Sequence, residues 1–167
     1  MKKAIFLLIL PTIAALVLSA CGDRAAVNFS MYDLSRAMLD AAEFDEMSYV
    51  SSSDNAPEDL FANVSTLPYS KVDSFFIAYA SDGKGNADEI VVIAVKEQGD
   101  LSAAVDSLKS HLANRKSIYA TYDPTQSEKL EHGLVLSQDG LAVLIVSPDN
   151  DAVCKALTAF LRNAGES

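Results

Sequence analysis

The 167-residue chain carries 23 acidic and 13 basic side chains, two Cys and no Trp. Its length fits one globular domain and excludes a two-lobed receptor or a long repeat array. Half of the residues are hydrophobic and 22% are charged, which is too apolar for a disordered chain. A net charge of −10 argues against a nucleic-acid partner, because phosphate neutralisation needs clustered Lys and Arg.

Met1-Lys2-Lys3 precedes an apolar run from Ala4 to Leu18, broken only by Pro11 and Thr12. A short basic segment before such a run is the pattern of a secretory signal. A spanning helix needs roughly 20 apolar residues, and Pro11 would remove a helical hydrogen bond near the middle of this one. The run ends in Leu18-Ser19-Ala20-Cys21, which resembles a bacterial lipobox. The resemblance implies cleavage between Ala20 and Cys21 and a diacylglyceryl thioether on the Cys21 sulfur. Small Ser19 and Ala20 would admit the peptidase, and the new α-amine of Cys21 could be acylated further. Two or more acyl chains give stable anchoring where one gives only marginal binding. An uncleaved anchor with an incidental Cys is the alternative.

This reading divides the chain into a leader (residues 1–20), a lipidated Cys21 with a short tether (21–29) and one domain (30–167). Loss of Lys2 and Lys3 with the leader leaves 11 basic and 23 acidic residues, a charge of −12. One thiol, Cys154, remains, so no internal disulfide is expected. The seven residues from Gly22 to Asn28 span at most about 25 Å, which holds the domain close to the membrane. Its acidity disfavours a second, electrostatic grip on anionic lipid.

In the mature chain, Ser30 can cap a helix over Met31–Ala42, with Asp33 placed to favour its N-terminal dipole. Met47–Val50 reads as a short strand, Ser51–Pro57 as a loop, and Pro57–Val64 as one or two helical turns. Strands are expected over Ser74–Ser81 and Glu89–Lys96, joined by a Gly-containing turn at 82–86. A long helix follows from Gly99-Asp100 to Tyr119, its stripe built from Leu101, Ala104, Val105, Leu108, Leu112 and Tyr119. Pro124 can start a shorter helix that ends near Gly133. Leu134–Ser137 and Leu141–Ser147 are strands joined by Asp139-Gly140, a strong hairpin signal. A final helix runs from Asn150 to Asn163.

The pattern is two hairpin-then-helix units, which predicts an α+β fold with one four-stranded antiparallel sheet and both helices on one face. The strand order is not readable. Residues 90–95 and 141–146, however, are apolar on both sides of the pleat, so the second face must also be covered. The N-terminal helix and the segment around Leu60-Phe61 are the expected cover. A homodimer or a bound partner is the competing explanation.

The segments Asp88-Glu89-Ile90, Tyr122-Asp123-Pro124 with Glu128-Lys129, and Gly133–Pro148 through Asp139-Gly140 carry a family resemblance. Together with the lipobox, this chain resembles small lipoproteins of Gram-positive Firmicutes that carry a domain of unknown function. The resemblance implies no activity, and Cys21 is the one functional position it transfers.

No catalytic constellation is legible. His111 lies at the edge of its helix stripe and His132 in a polar turn, neither with Cys or His at metal-ligand spacing. No G-x-S-x-G elbow supports a serine nucleophile. Asp82–Glu89 mimics a calcium loop, but Lys84 and Ala87 occupy positions that want an acid and a Gly, so a hairpin connection is the better reading. Gly83-Lys84-Gly85 lacks the third Gly of a dinucleotide fingerprint. Asp149-Asn150-Asp151 reads as a helix start. Cys154, beside Val153, Leu157, Phe160 and Leu161, reads as a small buried hydrophobe. Phe75, Phe76, Tyr79, Tyr119 and Tyr122 read as core, with a pocket lining as the alternative.

No catalytic residue, metal or cofactor is therefore expected. The expected partners are the membrane, through Cys21, and an envelope protein or small solute, but no nucleic acid. The expected function is a membrane-anchored, extracytoplasmic binding or interaction module. The rivals are a small hydrolase using two convergent carboxylates and a structural lipoprotein whose doubly apolar sheet makes oligomer contacts.

Overall fold

The computed structural model describes residues 28–165. The expected leader, Ala20, Cys21 and the tether up to residue 27 lie outside them. The described residues form five α-helices and five strands, an α+β fold around one antiparallel sheet. The strands are β1 (Met47–Ser51), β2 (Val72–Ala80), β3 (Glu89–Val95), β4 (Leu134–Gln138) and β5 (Leu141–Val146), in the order β1-β2-β3-β5-β4. The helices are α1 (Met31–Leu39), α2 (Pro57–Phe61), α3 (Leu101–Tyr122), α4 (Pro124–Glu131) and α5 (Asn150–Gly165). No helix among the described residues is long and apolar enough to cross a membrane.

The sheet has five strands, where the periodicity predicts four. The addition is β1, which pairs along the outer edge of β2 from Met47↔Ala80 to Ser51↔Phe76. Its sequence, Met-Ser-Tyr-Val-Ser, is short, half-buried and of mixed polarity, so it gives little apolar signal of its own. The two expected hairpins, β2–β3 and β4–β5, join through β3 and β5, which lie at the centre of the sheet. Asp139 and Gly140 both take positive φ, as a two-residue turn between twisted strands requires.

The helices lie on both faces, not on one. Odd-numbered residues of β3 face α3, α4 and α2, where Phe61, Phe75, Val91, Leu108 and Leu144 form one buried cluster. Even-numbered residues face α1 and α5, where Leu34, Met38, Phe76, Val92 and Leu157 form another. The expected cover is also redistributed. α1 joins α5 on one side, while Phe61 packs with α3 on the other. Length explains why one helix could not suffice. α1 is about 14 Å long, whereas five strands span about 19 Å across. Both sides of β3 and β5, the two doubly apolar strands, are thus buried beneath helices of the chain itself.

Local signals set the helix ends. Ser30 caps α1 by accepting from the Asp33 amide at 3.3 Å, and the helix stops three residues before its expected end at Ala42. α3 overruns its expected end and stops at Pro124, which disfavours helix for the residue before it. That residue, Asp123, turns extended and caps α4 through the Thr125 and Gln126 amides. Gly133 ends the connection to β4 where a Cβ would lie 3.1 Å from both Leu112 and Val146. Asp149 caps α5 through the Ala152 amide, so the Asp149-Asn150-Asp151 run serves as the expected helix start.

Candidate functional site

The most structured polar group on the α3 face begins with Glu89, the first residue of β3. Strand alternation aims it toward α3, and its side chain is only 7% exposed. His111 Nε2 and Arg115 NH1 each lie 2.9 Å from the same carboxylate oxygen, Oε2. His111 and Arg115 are one helical turn apart on α3, the spacing that puts two side chains on one face. The Arg115 guanidinium also sits 5.6 Å from the centre of the Tyr119 ring, which fixes its far side. A buried carboxylate needs such partners, because leaving one unpaired is costly.

Glu89 and His111 form one wall of a cleft of about 270 Å³. The floor is sheet: Val50 of β1 with Ile77 and Tyr79 of β2. The opposite wall is Leu60, Asn63 and Val64, at and just after the end of α2. The cleft exists because of a length mismatch. β2 extends about 30 Å, while five-residue α2 covers about 8 Å of it. Tyr79 is consequently 40% exposed on the uncovered end, directly across from Glu89 in the β2–β3 pairing.

A second buried pair lies at the start of β3. Lys129 Nζ of α4 contacts Asp88 Oδ1 at 2.7 Å and Asn86 Oδ1 at 2.9 Å. Gln126 of the same helix accepts from the Ala87 amide. α4 thereby clamps the hairpin loop; of the run that resembled a calcium loop, Asn86 and Asp88 serve this clamp, Glu89 turns to α3, and the buried Oδ2 of Asp82 has no hydrogen-bond partner. Oδ1 of Asp82 accepts from the Lys84 amide. No cluster of three or more His, Cys, Asp or Glu among the described residues is placed to hold a metal.

Two convergent carboxylates, as the hydrolase reading requires, do not line the cleft. Glu89 is the one acid on its walls, and Asp88 is held by Lys129. A serine–histidine pair is absent from the site too. Ser107, one turn before His111, bonds Ser65 at 2.6 Å and the Ala104 carbonyl, while Ser110 bonds the Asp106 carbonyl. His132 is exposed at the end of α4, and its carbonyl accepts from Asn150. Cys154 is half-buried rather than fully buried, packed at the edge of the α5 cluster. Phe75 and Phe76 are core on opposite faces, Tyr119 and Tyr122 meet at a tilt near the surface, and Tyr79 alone of these aromatics lines the cleft.

A separate open hollow of about 350 Å³ lies by the start of α1, lined by Tyr32, Tyr49, Ser51 and Asp73 among others. The Ser51 hydroxyl is already bonded to Asp54. Burial raises the Tyr49 phenol above its ordinary range, partly offset by hydrogen bonds with Ser35 and Ser51, while the Asp54 charge adds to the rise. A phenol raised in the fold contributes stability present below the unfolded value near 10, which is lost as pH climbs through the folded one. Tyr49 should therefore ionise above the ordinary phenol range in an alkaline titration followed at the phenolate absorbance, as a late step. Tyr49→Phe should remove that late step, and an unchanged curve would contradict the assignment.

The comparisons fall on this same region. A domain of unknown function, DUF4358, is found at residues 66–147. The matched segment runs from just before Leu67 through β5 and so contains Asp88, Glu89, His111, Arg115 and Lys129. It leaves out α1, β1, α2 and α5, and with them Val50, Leu60, Asn63 and Val64 of the cleft. No curated protein and no solved structure matches the chain.

The sequence pattern gives Glu89 only a place at the start of a strand, gives Arg115 no role, and reads His111 as the edge of a helix stripe. A signal did exist. His111 and Arg115 repeat at i and i+4, on the helix that follows a strand opening with an acid.

Proposed function

We propose that this chain is an extracytoplasmic binding module, anchored to the membrane through a lipid on Cys21, that holds a small solute in the Glu89–His111 cleft. The observation that carries the binding part is the cleft itself: an apolar floor beside a buried carboxylate fixed by two donors. Small-molecule sites combine such concave apolar lining with a few fixed polar groups. The anchor rests on Leu18-Ser19-Ala20-Cys21 and on the resemblance to small lipoproteins of Gram-positive Firmicutes. In this reading residues 1–20 are removed, 21–29 form the lipidated Cys and tether, and the single domain from Ser30 stands on the outer face.

Two experiments test the two parts. Cys21→Ala should abolish acyl labelling and leave precursor with its leader attached. Labelling that persists would show another residue to carry the lipid. For the cleft, dialysis of the full chain against an envelope solute extract should retain a small molecule that Tyr79→Ala does not. Tyr79 is exposed enough for that change to spare the fold. Equal retention by both proteins, or none by either, would overturn the binding reading.

A further inference from the structure

We infer that the cleft selects ligands whose polar head donates hydrogen bonds, a preference that rests on reading the cleft as a binding site. Two of the polar groups that line it, Glu89 and Asn63, offer acceptors. Glu89 receives both protein donors on Oε2, which leaves its second oxygen to accept from a ligand. Asn63 spends its amide N–H groups on the Asp59 and Leu60 carbonyls, both at 3.2 Å, so its Oδ1 is the end left for the cleft. Tyr79 supplies the remaining hydroxyl, which adapts to either role. No Lys or Arg lines the walls.

Charge refines the ligand class. Arg115 already balances Glu89, so the site does not call for a cationic head. An acceptor-only head would find the Tyr79 hydroxyl as its one adaptable partner and would leave Glu89 and Asn63 facing it unpaired, and buried polar groups left unpaired discriminate strongly. The volume lies just below the usual range for drug-sized ligands, which limits the body to about one ring or a short aliphatic chain. The ligand class is therefore a small neutral amphiphile with a donor head, such as a primary amide.

Benzamide and acetophenone test this directly, because they share a ring and a carbonyl and differ in whether the head donates. The full chain, ¹⁵N-labelled in detergent micelles with free probe fixed by dialysis, should show benzamide shifting the Val50, Ile77 and Tyr79 amides. Acetophenone should bind about tenfold more weakly or worse. Equal binding of the two overturns the donor preference and leaves the cleft standing. Silence from both probes overturns the cleft as well. Glu89→Gln, which places an amide donor on the wall, should narrow the difference to under about threefold. Asn63→Ala, at an exposed position, supplies a second variant with weaker benzamide binding should Glu89→Gln fail to fold.

Discussion

Phe75→Ala should lower the unfolding free energy by about 3–5 kcal/mol, the range for removing a buried Phe. Phe75 is fully buried on β2, opposite Ile93 in the β2–β3 pairing. Its ring packs 5.2 Å from Phe61 and 6.2 Å from Tyr69, centre to centre. These contacts tie α2 and the turn at 69–71 to the sheet, and α2 provides a wall of the cleft. Truncation would remove transfer energy and leave a cavity bounded by three separate segments that cannot all close on it. Urea unfolding followed by circular dichroism measures the loss. Tyr122→Ala, at a residue 67% exposed, should stay within about 0.5 kcal/mol in the same assay. A loss below about 1 kcal/mol for Phe75→Ala would show that the aromatic cluster does not hold this face together.

Lys129→Met should cost about 3 kcal/mol, by a different route. Asp88 is 1% exposed, and Lys129 is the cation beside it at 2.7 Å. Methionine keeps most of the side-chain volume but strands a carboxylate where water cannot solvate it. Breaking a buried pair on one side is expensive for that reason, whereas replacing both partners is often nearly neutral. The double variant Asp88→Asn/Lys129→Met should accordingly recover most of the stability. The surface pair Arg36–Asp40, at 3.7 Å and well exposed, serves as the contrast, with Arg36→Ala expected to cost under about 1 kcal/mol. If the double variant is no more stable than Lys129→Met alone, the penalty does not arise from the uncompensated charge.

Most individual elements were legible because their signals are local. Ser30 as a cap, Asp139-Gly140 as a positive-φ turn and Pro124 as a helix start each act within a few residues. The doubly apolar runs at 90–95 and 141–146 also announced two covered faces, since a strand reports its own burial on both sides of the pleat. β1 was the weakest strand because an edge strand of mixed polarity is defined by its neighbour. Met47–Ser51 becomes sheet by pairing with β2, about 30 residues along the chain.

The site was less legible than the fold. Glu89 and His111 are 22 positions apart, and their bond depends on how α3 lies over β3. Val50, Leu60 and Asn63 enter the same cleft from segments whose relation to the sheet no periodicity encodes. His111 taken alone is a polar residue at the edge of an apolar stripe. It becomes informative once the carboxylate opposite it is known.

By itself, the amino-acid order determined an α+β domain with two hairpin–helix units and two apolar faces to hide. Only the tertiary structure decided the β1-β2-β3-β5-β4 order, the placement of α3 and α5 on opposite faces, and the cleft beside Glu89. The division follows from range. Hydrophobic period, caps and turns are properties of neighbouring residues, whereas strand order and a cleft depend on which distant surfaces fit together and how far each short helix reaches.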